Sequence, residues 1–276
     1  MMTNVKKALA NKGLVVGGCI FLAIALIALV GPLVWTVNPN AQEMTLRLSA
    51  PSPAHPFGCD DFGRDLLARV IAGARVSLGV GIAVTLATSA LGLVIGAYAC
   101  YNERLDHILM RICDGLMSIP GVLLAIALMA MMGASAWNVI IALSIVYTPS
   151  MARIVRSRAM VVKEEPFVEA LRVQGASTAR IVWMHIVPNV MAPFLVQATF
   201  VFAEAVLSEA ALSFLGLGIK APDASWGNIL QAGKNVMRKA WWMIFFPAAA
   251  IIASVLSLNL AGDGLRDALD PKTKED

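Results

Sequence analysis

The sequence predicts an all-α integral membrane protein with six transmembrane helices. Three observations carry that prediction. First, 58% of the 276 residues are hydrophobic and only 14% are charged, against roughly 25% charged in an ordinary soluble domain, and the mean hydropathy is +0.74. Second, Asp, Glu, Lys and Arg are absent from residues 13–42, 76–102, 115–152, 181–203 and 240–262. A spanning helix needs about 20 apolar residues, so the 38-residue stretch 115–152 has room for two. Third, the basic residues behind the net charge of +4 gather at the ends of apolar stretches. They form no basic face of the kind that binds nucleic acid, and they read as orientation signals.

In chain order, a short tail (1–12) carries Lys6, Lys7 and Lys12 ahead of the first span (13–37). A cleaved signal peptide would have an apolar core of only about 7–15 residues, so the longer run here favours a retained anchor. Residues 38–75 form a polar loop containing His55-Pro56-Phe57-Gly58-Cys59-Asp60-Asp61-Phe62-Gly63-Arg64-Asp65. Asp60, Asp61, Arg64 and Asp65 either frame a self-packed loop or present a docking surface to an external partner. The second span runs over roughly Ser77 to Tyr101, where Gly92 and Gly96, four apart, permit close helix packing. The third covers His107 to Met132 and the fourth Ala136 to Ser157, with Gly133-Ala134-Ser135 as the turn. Pro120 and Pro149 interrupt them, which a membrane tolerates where neighbours satisfy the freed carbonyls.

A polar island, 164–180, follows. Glu164 and Glu165 precede Pro166, a residue suited to the first helical position, and acidic groups there suit the helix dipole. Gly175 is a helix stop, and Ser177 or Thr178 can cap a new helix. The island predicts a short helix, a glycine turn and a restart. The fifth span covers Ile186 to Leu207, kinked near Pro193. Ser213 to Ile219 is too short to cross and belongs at the interface. The sixth span covers 240–262, led by Trp241 and Trp242, and 266–276 is the tail. Residues 76–265 thus form a five-helix core. With six spans and the N-terminus inside, fourteen of the 22 Lys and Arg fall on the inner side. That bias places both termini and the 164–180 island in the cytoplasm and the Phe57–Asp65 loop outside.

Little in the sequence speaks for chemistry. The four cysteines lack metal-ligand or disulfide spacing, and His55, His107 and His185 stand far apart. No metal or cofactor is expected. Gly233-Lys234-Asn235 lacks the rest of a phosphate loop, and Gly216 to Ala221 matches GxGxxA without the βαβ context it needs. Nothing argues for an enzyme. Polar residues near the membrane interior merit a functional hypothesis: Asp114, Glu204, Glu209 and Asn259. Asp114 can pair with Arg111, and Asp263 with Arg266, three residues along a helix. Glu204 and Glu209 have no local cation and either face a polar pathway or lie in water at the outer interface.

Glu169-Ala170-Leu171, Gly175 and His185-Ile186-Val187-Pro188 resemble the EAA loop of permeases of binding-protein-dependent ABC importers, with Leu171 in place of the usual second alanine. Four other segments resemble the C-type permease of the dipeptide, oligopeptide and nickel transporters: His55 to Asp65, Leu212 to Gly218, Ser225-Trp226-Gly227, and Asn259 with Gly262 to Pro271. Cys59 stands where that family usually has threonine. The resemblance implies a type I ABC importer permease fold and four kinds of neighbour: a homologous second permease, two ATPase subunits, an extracytoplasmic solute-binding protein and membrane lipid. It implies that Glu169, Ala170, Leu171, Gly175 and Ala176 couple to an ATPase. The expected cargo is a di- or oligopeptide, with nickel or a metal chelate, glutathione-like peptides or opines as alternatives within the family. An ATP-independent secondary transporter is the alternative from another class and predicts an inverted repeat, which the sequence does not display.

Overall fold

The structure is a computed structural model that describes residues 11–269. The cationic tail at Lys6 and Lys7 and the segment from Asp270 lie outside the described residues. Among them, the protein is helical and contains no strand beyond one isolated bridge, Cys59 to Asp65.

Helix α1 (Lys12–Val34) starts where the Asn11 side chain accepts from the Leu14 N–H at 3.1 Å. It lies along the last helix, and Leu22, Leu29 and Leu33 stay exposed, as lipid-facing residues should. Pro32 inside α1 cannot donate to the Ala28 carbonyl. The Arg75 guanidinium takes that place, its Nε donating to Ala28 O at 2.6 Å and Nη2 to Leu29 O at 2.7 Å. Helix α2 (Leu66–Tyr101) is capped by Asp65, which accepts from the Ala68 N–H at 2.7 Å. It begins eleven residues before the predicted second span. The predicted loop 38–75 therefore ends at Asp65, because Arg69 and Arg75 find partners remote in sequence.

Helices α3 (Glu103–Met117) and α4 (Gly121–Met132) replace the predicted continuous third span. They meet at 90° across Ser118-Ile119-Pro120. Proline disfavours the helical conformation in the residue before it and offers no N–H of its own. At 1.5 Å per residue, the twelve residues of α4 reach about 18 Å, short of a hydrocarbon core of about 30 Å. Helix α5 (Ala136–Lys163) returns, capped by Ser135, and extends six residues past the predicted fourth span. Among the described residues five helices are thus long and apolar enough to cross a membrane, and six crossings result if the bent pair counts as one span.

Then come α6 (Pro166–Val173), the single turn α7 (Thr178–Ile181), a π-helical turn (Val182–Ile186) and α8 (Val187–Phe214). Helix α9 (Trp226–Gly233) lies across the far end of α8, and α10 (Trp242–Leu269) runs back. Close packing holds the bundle together. A Cβ on Gly96 would stand 2.5 Å from the Ala152 carbonyl, and one on Gly92 would stand 2.4 Å from Met151. The predicted small-residue contact is therefore the α2–α5 seam.

Candidate functional site

The α6 segment is built as the sequence reading expects. Pro166 occupies the first turn, and Gly175 takes φ +76°, a conformation that costs glycine little. The turn closes with Gly175 N–H donating to Arg172 O and Ala176 N–H donating to Leu171 O, both at 3.0 Å. Ser177 then caps α7 by accepting from Arg180 N–H at 3.4 Å. One face of this unit is fixed to the bundle. Val168, Ile181, Val182 and Ile186 are fully buried, in one cluster with Ala97 and Cys100 of α2 and Val155 and Ala159 of α5. Lys163 Nζ donates to the Cys100 carbonyl at 3.0 Å, and the Arg172 guanidinium sits 5.4 Å from the centre of the Tyr101 ring.

Among the described residues the other face stays largely open, its one ring contact being Phe167 against His185 with centroids 6.4 Å apart. Glu169, Ala170 and Gly175 are exposed, while Leu171 and Ala176 are half-buried and belong to the anchoring side. Sequence reasoning missed Phe167 and Val173, which are 41% and 85% exposed. The signal was present: an eight-residue helix with apolar residues on both sides has one side too many for a surface helix. The arrangement is a rigid knob, apolar with one carboxylate, joined to the ends of α2, α5 and α8.

The other polar candidates do not form a second site. No hydrogen bond or ion pair joins any two of Asp114, Glu204, Glu209 and Asn259 among the described residues. Asp114 is exposed and pairs with Arg153 of α5 at 2.6 Å, not with Arg111; the partner is 39 positions away. Glu204 is exposed, and Asn259 is half-buried on α10. Glu209 is neither in water nor on an open surface. It is fully buried, with its Oε2 accepting from the Ser77 hydroxyl and its Oε1 from the Ser213 hydroxyl, both at 2.7 Å. Ser77 Oγ also accepts from Trp226 N–H at 3.3 Å, and Ser213 Oγ from Ile219 N–H at 3.1 Å. One carboxylate ties α2, α8 and the start of α9.

Asp60, Asp61, Arg64 and Asp65 do come together, but facing inward. Arg64 Nε pairs with Asp60 Oδ2 at 2.6 Å, and Arg69 Nε reaches the same oxygen at 3.5 Å. Asp60 Oδ1 accepts the Phe62 and Arg64 N–H groups at 2.8 and 2.9 Å. Asp65 accepts from Trp35 Nε1 at 3.0 Å and pairs with His55 Nδ1 at 2.8 Å. Asp60, Arg64 and Asp65 are buried, so they brace the loop and do not offer a contact face. Asp61, the least enclosed of the four, has its carboxyl pushed upward by burial and then by the neighbouring Asp60 charge. Burial, reinforced by Asp65 and Asp60, pushes the Cys59 thiol up to about 11.

Comparison with known proteins agrees with this architecture. Residues 88–275 match the family model described as binding-protein-dependent transport system inner membrane component. Residues 5–51 match the N-terminal transmembrane domain of oligopeptide transport permease C. The dipeptide transport system permease protein DppC of Alkalihalophilus pseudofirmus is 42% identical, over 98% of this chain and 89% of that protein. The oligopeptide transport system permease protein OppC of Bacillus subtilis is 38% identical, over 96% and 88%. The fold resembles the solved inward-facing MetNI methionine ABC transporter, with a TM-score of 0.61 and 19% identity over 74% of this chain and 98% of that one. This multi-pass chain therefore belongs to the inner-membrane permease components of binding-protein-dependent transport systems.

Proposed function

We propose that this chain is one permease subunit of an ATP-driven importer of di- or oligopeptides in a bacterial cytoplasmic membrane. It pairs with a homologous second permease to form the pathway. Two ATPase subunits bind on the cytoplasmic side, where α6 seats in a groove of one of them, and a solute-binding protein meets the opposite end. The observation that carries this reading is the α6 knob: apolar and exposed on one side, continuous with the packed ends of α2, α5 and α8 on the other. A unit packed in this way suits the transmission of motion, because packed interfaces switch between discrete arrangements and do not deform continuously. Peptide cargo follows from the relatives named for dipeptide and oligopeptide transport. The Lys/Arg bias supports a cytoplasmic α6.

The test is reconstitution. Purified with its neighbours, the chain should emerge with two ATPases and one second permease, and proteoliposomes should take up peptide only with both ATP and the binding protein. A homodimer that transports without ATP would contradict the reading.

A further inference from the structure

At the end of the bundle opposite α6 lie two adjoining clefts, of about 500 and about 560 Å³, which share Lys234 and Asn235. Helix α8 separates this end from α6 by about 40 Å, given 28 residues at 1.5 Å each. The clefts are lined by Arg47, Lys220, Lys234, Arg238 and Lys239, all exposed. Among the described residues, none of these five has a carboxylate within 4.0 Å; Lys234 instead stands over the Phe214 ring. The buried floor adds no net acid, because Arg64 and Arg69 balance Asp60 and the adjoining Asp61. Between residues 215 and 241 the chain has four basic residues and only Asp223 to oppose them. Outward-facing segments are ordinarily poor in Lys and Arg, so this concentration works against the orientation bias and calls for another reason.

We infer that this basic groove is the docking surface for acidic side chains on the rim of the solute-binding protein. The inference rests on the importer reading above, which puts that protein at this end. Charge complementarity is its physical content: opposed patches steer encounter and fix orientation. It also shifts the contact from the loop carboxylates to the cations around them: Asp60, Arg64 and Asp65 are buried, and Asp61 alone of the four stays partly exposed. The exposed Met237 and Phe62 flank the charged rows and supply apolar contact.

The test uses the complete transporter, with its ATPases and second permease, in nanodiscs. Binding of the cognate solute-binding protein is measured at low and high salt for wild type, Lys234→Glu/Lys239→Glu and Lys234→Arg/Lys239→Arg. Wild-type affinity should fall with salt. The charge-reversed variant should bind at least about tenfold more weakly with little salt dependence, and the arginine variant should bind as wild type. Arg238→Glu, on the exposed turn, serves if the double variant fails to assemble. An unchanged Kd and salt dependence in the reversed variant would overturn the inference. So would an unchanged Kd combined with reduced peptide uptake, which would assign the groove to the cargo's carboxylate, or with loss of co-purified anionic lipid. A wild-type complex that binds no solute-binding protein would contradict the importer reading itself, and this surface with it.

Discussion

Glu209 shows how much a single buried carboxylate can organise. Two hydroxyls donate to it, and each hydroxyl in turn accepts a backbone N–H from a different segment. Glu209→Ala should orphan Ser77 and Ser213 and cost about 1–3 kcal/mol, visible as a lower unfolding midpoint in detergent. Glu209→Gln, which keeps an acceptor oxygen and the volume, should lose less. Equal midpoints for all three proteins would dismiss the hub role. Cys59 gives a second residue-scale prediction. The thiolate is the reactive form, and with the thiol raised to about 11 only about one molecule in a thousand carries it at pH 8. Cys59 is also fully buried. A charged maleimide should therefore leave it unmodified in the native protein and label it after denaturation. The shift favours the neutral thiol, so in the unfolded chain, where it is lost, labelling should already be fast at pH 8. Rapid native labelling at neutral pH would contradict this environment.

At the scale of elements, the α2–α5 seam is the most exacting contact. Gly96→Val would drive a side chain into the Ala152 carbonyl and Val155. The expected cost is about 1–3 kcal/mol of overpacking, together with a weaker anchor for α6, whose buried side shares the same two helices. Thermal unfolding of the variant in detergent measures it, and an unchanged midpoint would show that the seam can spread. The same elements show what was legible in the sequence. Helix α6, its proline start and its glycine stop were readable because those signals lie within a few residues of one another. The 90° break before Pro120 was not, because proline marks a site of disruption without setting the angle. The early start of α2 was hidden because Arg69 and Arg75 look like loop residues until Asp60 and the Ala28 carbonyl are brought to them.

At the scale of the whole molecule, the protein has two working ends joined by its long helices. One end presents a knob whose outer face is exposed among the described residues, and the other presents a basic groove. The family relationship and the order of the spans could be read from sequence, since composition and motif spacing report them directly. The candidate residues fared less evenly. Glu169, Ala170 and Gly175 face outward, whereas Asp60, Arg64 and Asp65 are buried and Asp114 pairs with Arg153. The Arg64–Asp60 pair is local and could be read from spacing, whereas the partner of Asp114 is set by packing between α3 and α5, which spacing does not encode.

If α6 conveys ATPase motion to the spans, peptide uptake and ATP hydrolysis should separate in proteoliposomes carrying Glu169→Lys or Gly175→Lys, measured together. The first puts a cation on the exposed face of α6; the second forces a side chain into φ +76°, at a cost of about 1–2 kcal/mol. Uptake per ATP hydrolysed should fall at least about tenfold while the affinity for the solute-binding protein is retained. Uptake per ATP equal to wild type in both variants would contradict that coupling.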